Sequence, residues 1–273
     1  MKKLLLISAL LIFACSSDDS SDSDDNANNP NAQRLVESIT VLSATNTRAE
    51  NYYSMSYDEN NRLISFEYQS FDFDENGQIY YESEINELNI DYLENSVMFY
   101  NNNDEVVVPI NSDGTLDDND YTFVNGYLTN LESSDGQDDN CLAQQTWVNN
   151  NMTQFVETCS PNFGDSGVAE IEYTNHIRPN ETFVYYRGGG NVISKIWIGL
   201  RGKQSNNLPL RTRSCIGSTN INSIDCWNFS ETERTYEFDS QGHPILINEN
   251  QYTTQNNSSD SFSFVSVAIT YAN

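Results

Sequence analysis

The stretch Tyr57-Asp58-Glu59-Asn60-Asn61-Arg62-Leu63-Ile64-Ser65-Phe66-Glu67-Tyr68 contains the two signals that decide the fold. Its second half places Ile64, Phe66 and Tyr68 alternately with polar residues, which is typical of a half-buried strand in an antiparallel sheet. Its first half is polar, with an Asp that can bond the backbone of a turn and an Asn that tolerates positive φ. The stretch therefore predicts a strand end, a tight turn and a return strand.

The same alternation recurs along the chain, and no helical periodicity follows the first fifteen residues. Roughly ten strands are predicted in this way. The fold class is therefore all-β: an antiparallel β-meander forming a large twisted sheet, or an open barrel or sandwich. Besides residues 64–68, the alternating runs are residues 35–42, 52–57, 88–92, 97–100, 170–173, 183–186, 192–198, 236–238 and 262–271.

The turn signal is a recurrent unit with the form aromatic, Asp, two polar residues, Gly or Asn, any residue, aliphatic. Residues 57–63 are echoed by residues 73–79 and 238–245, where Pro244 takes the aliphatic place, and more loosely by residues 110–116. This unit resembles the YD repeat of RHS-type proteins. The resemblance implies a long antiparallel meander and carries no catalytic residues. The alternative is that Asp, Asn and Gly simply recur wherever hairpins turn.

The first fifteen residues predict an export signal with a lipid anchor. Lys2 and Lys3 precede an apolar run, residues 4–13, that is too short to span a bilayer and is followed by Ala14-Cys15. This pattern predicts a lipoprotein signal peptide over residues 1–14 and lipidation of Cys15, which would hold the chain at a membrane. An ordinary signal peptide is the alternative, because Phe13 occupies a place that is usually small or β-branched.

Residues 15–33 predict a flexible acidic tether, because they lack the aromatic and β-branched residues needed to form a core. The β-domain would then comprise residues 34–273. Ser17-Asp18-Asp19 resembles the acidic export signal of surface-exposed lipoproteins in the Bacteroidota; a solvated spacer is the alternative. Together with the YD-like hairpins, these features resemble Bacteroidota lipoproteins with YD-repeat-like hairpins. That resemblance implies a lipid-anchored, surface-exposed protein of the outer membrane.

The formal net charge is −27, and the charges are segregated along the chain. There is no Lys or Arg between Arg62 and Arg178, whereas residues 178–234 contain eight Lys and Arg and four Asp and Glu. One interpretation is that the basic stretch meets an anionic polysaccharide or lipopolysaccharide. The other is that the acidic and basic stretches neutralise each other across neighbouring strands. A chain this acidic is a poor partner for nucleic acid.

Four cysteines remain after Cys15, and an even number in an exported chain predicts two disulfides among three connectivities. Cys141 and Cys159 are symmetric about Asn150, so a hairpin turning there would place them opposite each other. Cys215 and Cys226 are symmetric about residues 220–221. Register therefore favours these two pairs. Zinc is disfavoured because there is no Cys-x-x-Cys.

One sequence motif predicts a possible calcium site. Asp72, Asp74 and Asn76 provide oxygen ligands at alternate positions before Gly77, as in the first half of an EF-hand-type loop. The twelfth position is Ser83, which lacks the bidentate carboxylate of such loops. A structural turn is the alternative, and no other cofactor is predicted.

No catalytic motif emerges from the sequence, and no spacing singles out a pair of carboxylates. Trp147, Trp197 and Trp227 are candidates for stacking on sugars, although tryptophans in a β-protein also belong to cores. The predicted function is a non-catalytic binding or surface-interaction module anchored to the cell envelope, with a glycan or envelope partner. The alternatives are a structural envelope protein and a secreted carboxylate-dependent glycoside hydrolase.

Overall fold

The computed structural model describes residues 35–43, 48–74, 76, 78–101, 104–134, 140–160, 165–177, 205–255 and 260–272. The predicted signal peptide, Cys15, the tether and the predicted strands at residues 183–186 and 192–198 lie outside these ranges. The described chain forms sixteen strands and no helix. They are β1 (Val36–Ser43), β2 (Arg48–Tyr57), β3 (Leu63–Phe73), β4 (Ile79–Glu82), β5 (Asn86–Tyr92), β6 (Ser96–Tyr100), β7 (Glu105–Pro109), β8 (Tyr121–Val124), β9 (Tyr127–Ser134), β10 (Asn140–Val148), β11 (Asn151–Cys159), β12 (Gly167–Ile177), β13 (Asn207–Ile216), β14 (Asn228–Phe238), β15 (Pro244–Gln255) and β16 (Ser261–Tyr271).

All sixteen strands belong to one antiparallel sheet with the order β7-β6-β5-β3-β2-β1-β16-β15-β14-β13-β12-β11-β10-β9-β8, and β4 pairs with β3 beside this path. The all-β fold and the large antiparallel sheet are confirmed. The estimate of about ten strands was too low, because polar strands such as β13 and β15 lack a clean alternation of apolar and polar residues.

The antiparallel pairing of β1 with β16 gives the sheet two distinct ends. Val36 lies opposite Tyr271, and the Ala272 N–H donates to the Leu35 carbonyl over 2.8 Å. We call the end of the sheet at which these residues lie the entry end, and the opposite end the far end. Because neighbouring strands alternate in direction, β3, β11, β13 and β15 run from the entry end to the far end, as β1 does.

The two edges of the sheet are tied together by the segment between β7 and β8. The Asp117 N–H donates to the carbonyl of Pro109, the last residue of β7. The Glu132 N–H in β9 donates to the carbonyl of Asp120. The sheet is therefore curled, and side chains of β7 and β8 contact the same core.

The core lies on the inner face of the curled sheet and continues across most of its strands. Fully buried side chains such as Ile39, Ile90, Phe99 and Val267 come from β1, β5, β6 and β16. A smaller cluster of Val168, Cys215 and Ile221 lies at the far end on the outer face. The larger cluster comprises Val36, Ile39, Val41, Leu63, Phe66, Leu88, Ile90, Val97, Phe99, Val108, Leu116, Leu208, Ile247, Val265, Val267, Ile269 and Tyr271.

The three close copies of the predicted turn unit share one hydrogen-bond pattern, whereas in the looser copy at residues 110–116 the Thr115 N–H donates to Asp113 instead. Asp58 Oδ1 accepts the N–H groups of Asn60 and Arg62 at 2.9 and 2.8 Å, and the Asp58 N–H donates to the Arg62 carbonyl. Asp74 and Asp239 make the same three bonds within their own turns. Asn61 and Gly242 complete the first and the last of these turns with positive φ, which lets the return strand pair.

Six aromatic side chains, which we call the aromatic ties, link neighbouring strands toward the entry end. Each lies on a strand that runs toward this end. Its N–H or O–H donates to a backbone carbonyl near the start of a strand that pairs with its own and comes earlier in the chain. Buried hydroxyl and indole groups need such partners. The donors and acceptors are Tyr57 and Val36, Tyr92 and Leu63, Trp147 and Leu128, Tyr173 and Met152, Tyr236 and Pro209, and Tyr271 and Pro244, at 2.6 to 3.2 Å.

Candidate functional site at the far end

Both disulfides lie at the far end. Cys141, the second residue of β10, lies directly opposite Cys159, the last residue of β11, and the two are bonded. The turn between these strands is Asn149-Asn150, and both residues have positive φ, as a two-residue hairpin turn requires. A bulge then shifts the register between Thr146 and Trp147. This bulge makes Asn150 the midpoint of the two cysteines, although the turn itself is centred half a residue earlier.

Cys215 and Cys226 are also bonded, but the register argument for this pair was wrong. Cys215 lies opposite Phe229 in the β13–β14 ladder, and Cys226 precedes β14. The intervening chain forms successive turns rather than a symmetric hairpin, with N–H bonds from Ser223 to the Asn220 carbonyl and from Cys226 to the Ser223 carbonyl. The bridge therefore closes a loop instead of linking opposed strand residues.

The loop closed by this bridge and Trp227, which directly follows it, present apolar side chains to solvent. Ile224 is 96% exposed, and Trp227 is 38% exposed. Gly217 has a φ of +101°, and a Cβ on it would lie 2.4 Å from Trp227 Cδ1. A glycine is needed here for both conformation and space. Of the other predicted stacking residues, Trp147 serves as a backbone tie and Trp197 lies outside the described residues.

The short strand β4 is a second exposed element at the far end. It pairs with the last residues of β3, and among the described strands it pairs with β3 alone. Every residue of β4 is exposed, including Tyr80 at 69% and Tyr81 at 53%. β5 continues along the same edge of β3 toward the entry end. The outer edge of β4 thus offers backbone groups next to apolar side chains.

A third exposed group lies on the outer faces of β15, β16 and β1. Tyr252 is opposite Phe262, with ring centroids 4.9 Å apart, and Phe262 is 80% exposed. Phe264 and Leu42 are also exposed, and the side chains of residues 262, 264 and 266 share one face of β16. Since Leu42 lies opposite Ser266, these four side chains share the outer face of the sheet.

Arginine and glutamate side chains alternate across the outer face of β12, β13 and β14. Arg213 lies between Glu170 and Glu231, and Arg211 between Glu172 and Glu233. Arg213 bonds Glu170 at 2.7 Å and Arg211 bonds Glu231 at 2.5 Å. These pairs support neutralisation across neighbouring strands. Arg178, Arg187, Lys195, Arg201 and Lys203 of the basic stretch lie outside the described residues.

The calcium candidate lies in the β3–β4 turn. Asp74 Oδ1 accepts the N–H groups of Gln78 and Asn76, and these bonds lower the pKa of the Asp74 carboxyl. Asp72 lies opposite Tyr81 in the β3–β4 ladder, and Asn76 is exposed within the turn. A structural role for Asp74 is therefore visible. Calcium binding by the three residues stays a prediction.

One further group could hold a metal by distance alone. Ligand atoms of Cys141, Glu157 and Cys159 lie within 4.8 Å of one another. The two sulfurs are joined in a disulfide, so the Glu157 carboxylate is the one ligand that the oxidised protein offers there. Burial raises the pKa of Glu157. This group is not a metal site in the oxidised protein.

Sequence analysis missed a buried ion pair on the inner face of β14 and β15. Arg234 and Glu249 lie directly opposite each other, and Arg234 Nε donates to Glu249 Oε1 over 2.7 Å. Arg234 also donates to the Thr212 hydroxyl at 2.9 Å. Both charged side chains are more than nine-tenths buried. The sequence contained only a weak signal of this pair. Arg234 and Glu249 each lie two residues from an inward-facing apolar residue, Tyr236 and Ile247, and so share the inner face with it.

Comparisons with known proteins add a likeness at the level of structure. No family model matches the chain, and no curated protein matches it by sequence. A porin-like protein from Bacteroides uniformis ATCC 8492 has 12% identity and a TM-score of 0.49, covering 87% of this chain and 98% of its own. A porin-like protein from Bacteroides vulgatus ATCC 8482 has 12% identity and a TM-score of 0.41, covering 87% and 99%. Likeness of this degree carries no functional argument.

Within the described residues, no helix has the length and apolarity needed to cross a membrane.

Proposed function

We propose that the protein is a lipid-anchored component of the outer membrane whose β-domain acts as a non-catalytic binding or surface-interaction module. The observation that carries this proposal is the difference between the two ends of the sheet. The chain enters at Leu35, beside the aromatic ties, whereas the exposed apolar side chains of the disulfide-bonded loop and of β4 lie at the far end. A tether attached at Leu35 would leave the far end pointing away from the membrane.

The length of the strands supports this arrangement. β3 contains 11 residues, which at roughly 3.3 Å per residue extend over about 36 Å. A lipid on Cys15 followed by a flexible segment would hold the entry end near the membrane. Exposed aromatic side chains at the opposite end suit contact with a partner, because Tyr and Trp provide large contact areas at low entropic cost.

Several described acidic groups have structural partners. Asp58, Asp74 and Asp239 are engaged by turn N–H groups, and Glu170 and Glu231 by arginines. These contacts give five of the 40 acidic residues structural roles. A hydrolase would release product from an envelope polysaccharide and lose that activity when one carboxylate is replaced. A purely structural protein would show neither product nor saturable binding.

The anchoring part of the proposal is tested by changing Cys15 to Ser. Metabolic labelling with a radioactive fatty acid should label the natural protein, and the Cys15→Ser variant should lose the label and leave the membrane fraction. A matched Ser17→Ala variant should keep both. Labelling that persists in Cys15→Ser would show that the lipid is attached elsewhere or that another feature holds the chain.

The exposure part is tested by treating intact cells with an impermeant protease and following the protein by immunoblot. Digestion of the β-domain while a periplasmic control survives is the expected result. Protection of the protein would place the far end in the periplasm. That outcome would contradict the surface interpretation of Ser17-Asp18-Asp19.

A further inference from the structure

We propose that the outer edge of β4 binds an extended, cationic segment of a partner protein, which adds to the sheet as a further strand. The inference deepens the proposed function and rests on it for the general role as a binding module. It identifies the element that makes the contact, the mode of recognition and the chemistry of the partner.

The backbone of β4 supplies the first argument. The Ser83 N–H donates to the Ser70 carbonyl at 2.9 Å, so residue 83 faces β3. Because hydrogen bonding alternates along an antiparallel strand, Tyr81 also faces β3, and the N–H and carbonyl of Glu82 point away from it. A strand edge with outward N–H and carbonyl groups is a template for another extended chain.

The side chains of β4 supply the second argument. Ile79, Tyr80 and Tyr81 are each more than half exposed, and they occupy both faces of the strand. Aromatic and β-branched residues are favoured partners across neighbouring strands. An added strand would cover these side chains while it satisfied the backbone, and its own alternate residues would pack against the tyrosines.

The charge around β4 identifies the occupant. Asp74, Glu82 and Glu84 flank or belong to the strand, whereas Asp72 lies opposite Arg48 of β2. A second copy of β4 would bring the same acids against these and would be repelled. A chain with Lys or Arg among its residues would be attracted. Charge complementarity therefore points to a cationic strand of another protein.

The test uses the full chain, purified in detergent, and a fluorescent eight-residue peptide in which Lys alternates with Val or Tyr. We expect saturable binding by fluorescence anisotropy, and weaker binding as the salt concentration rises from about 50 mM to about 500 mM. The matched peptide with Glu in place of Lys should not bind. A peptide with alternate backbone nitrogens methylated should also fail, because it cannot pair with a strand edge.

Two substitutions at one position separate the contribution of the backbone to peptide binding from that of the side chain. Glu82→Ala removes the carboxylate and its 2.7 Å bond from Gln69 Nε2, but keeps the N–H. Glu82→Pro removes the same groups and also the outward N–H, which proline on an edge strand can lack without loss to the inner ladder. We expect the Pro variant to bind the Lys peptide about tenfold more weakly than the Ala variant.

A charge reversal with a distant control isolates the electrostatic contribution. Glu84→Lys should weaken binding of the Lys peptide, whereas Glu237→Lys, at an exposed position on β14, should leave it unchanged. Circular dichroism would establish that each variant is folded. Equal binding by Glu82→Pro and Glu82→Ala, equal binding of the Lys and Glu peptides, or a dimer that the Lys peptide does not disrupt would each overturn the inference. None of these outcomes bears on lipidation or protease exposure, so the proposed function would stand or fall separately.

Discussion

At the scale of single residues, the aromatic ties show how a polar group can be buried and still keep a hydrogen-bond partner. Tyr57 illustrates the device: its ring packs against the core, and its hydroxyl donates to the Val36 carbonyl at 2.7 Å. The acceptor is the first residue of β1, so one bond joins the end of one strand to the start of its neighbour. Six such bonds tie six strand pairs toward the entry end.

Replacing Tyr57 by Phe should lower the free energy of unfolding by about 1 kcal/mol, because the hydrogen bond to Val36 is lost while the ring remains. Urea unfolding followed by tryptophan fluorescence would measure the change. Tyr80→Phe is the matched control, since Tyr80 is 69% exposed and should change stability very little. An equal loss in both variants would contradict the role given to the Tyr57 hydroxyl.

The same hydroxyl should make stability depend on alkaline pH. Burial raises the pKa of the Tyr57 hydroxyl. The unfolded phenol ionises near pH 10, whereas the folded one resists ionisation. This contribution to stability is therefore complete below about pH 10 and is lost as the pH rises above it. Unfolding free energies measured between about pH 9 and pH 11 should fall less steeply in Tyr57→Phe than in the natural protein.

The buried pair Arg234 and Glu249 predicts a large and asymmetric response to mutation. Glu249→Ala leaves Arg234 charged in the core and should cost about 3–5 kcal/mol of stability. The double variant Arg234→Met with Glu249→Leu removes both charges and should be much closer to the natural protein. Chemical denaturation of the two variants would measure the difference. If the double variant were the less stable one, the pair itself would be a net source of stability.

At the scale of elements, alternation in the sequence predicted the strands whose inward side chains are apolar. Ile64 to Tyr68 became part of β3, and the runs around Ile90 and Phe99 became β5 and β6. The same criterion overlooked β15, whose inward positions include Glu249 beside Ile247. A charged residue on the inner face looks like a surface position until its partner on the next strand is known, so sequence alone could not place this element.

The turn unit was predictable because its geometry is local. Replacing Asp239 by Ala removes the acceptor for the N–H groups of Gln241 and His243 and should cost about 1–3 kcal/mol. Ser240→Ala, at an exposed position in the same turn, should have little effect. Thermal unfolding of both variants would test this difference. A large effect of Ser240→Ala would show that the turn depends on more than its aspartate.

The far-end site was less predictable than the turns. The four cysteines were visible in the sequence, and the Cys141 bond follows from hairpin symmetry. The Cys215 bond depends on a loop of successive turns in which Gly217 makes room for Trp227. The exposed edge of β4 depends on β3 having different partners along its length, with β4 at one part and β5 at the other. Neither arrangement is encoded by a short periodic pattern.

At the scale of the whole molecule, the net charge of −27 should make stability depend on salt. Like charges repel in the compact state, and salt screens that repulsion. The described cross-strand Arg–Glu pairs lose attraction in salt, but each is worth little at a partly exposed position. We therefore expect Tm to rise as sodium chloride increases from about 20 mM to about 300 mM. A fall in Tm would mean that the ion pairs outweigh the general repulsion.

The pairing of β1 with β16 has a consequence for how the chain folds. β1 can pair with β2 early in folding, because the two strands follow each other closely in the chain, but its other edge stays open until β16 joins the sheet. Contacts between such distant parts of a chain form slowly. During that interval the incomplete sheet exposes a hydrogen-bonding edge along Ile39 and Val41, which invites pairing with other chains. Chaperones that protect unpaired strands would therefore matter more for this protein than for one whose first strands pair only with each other.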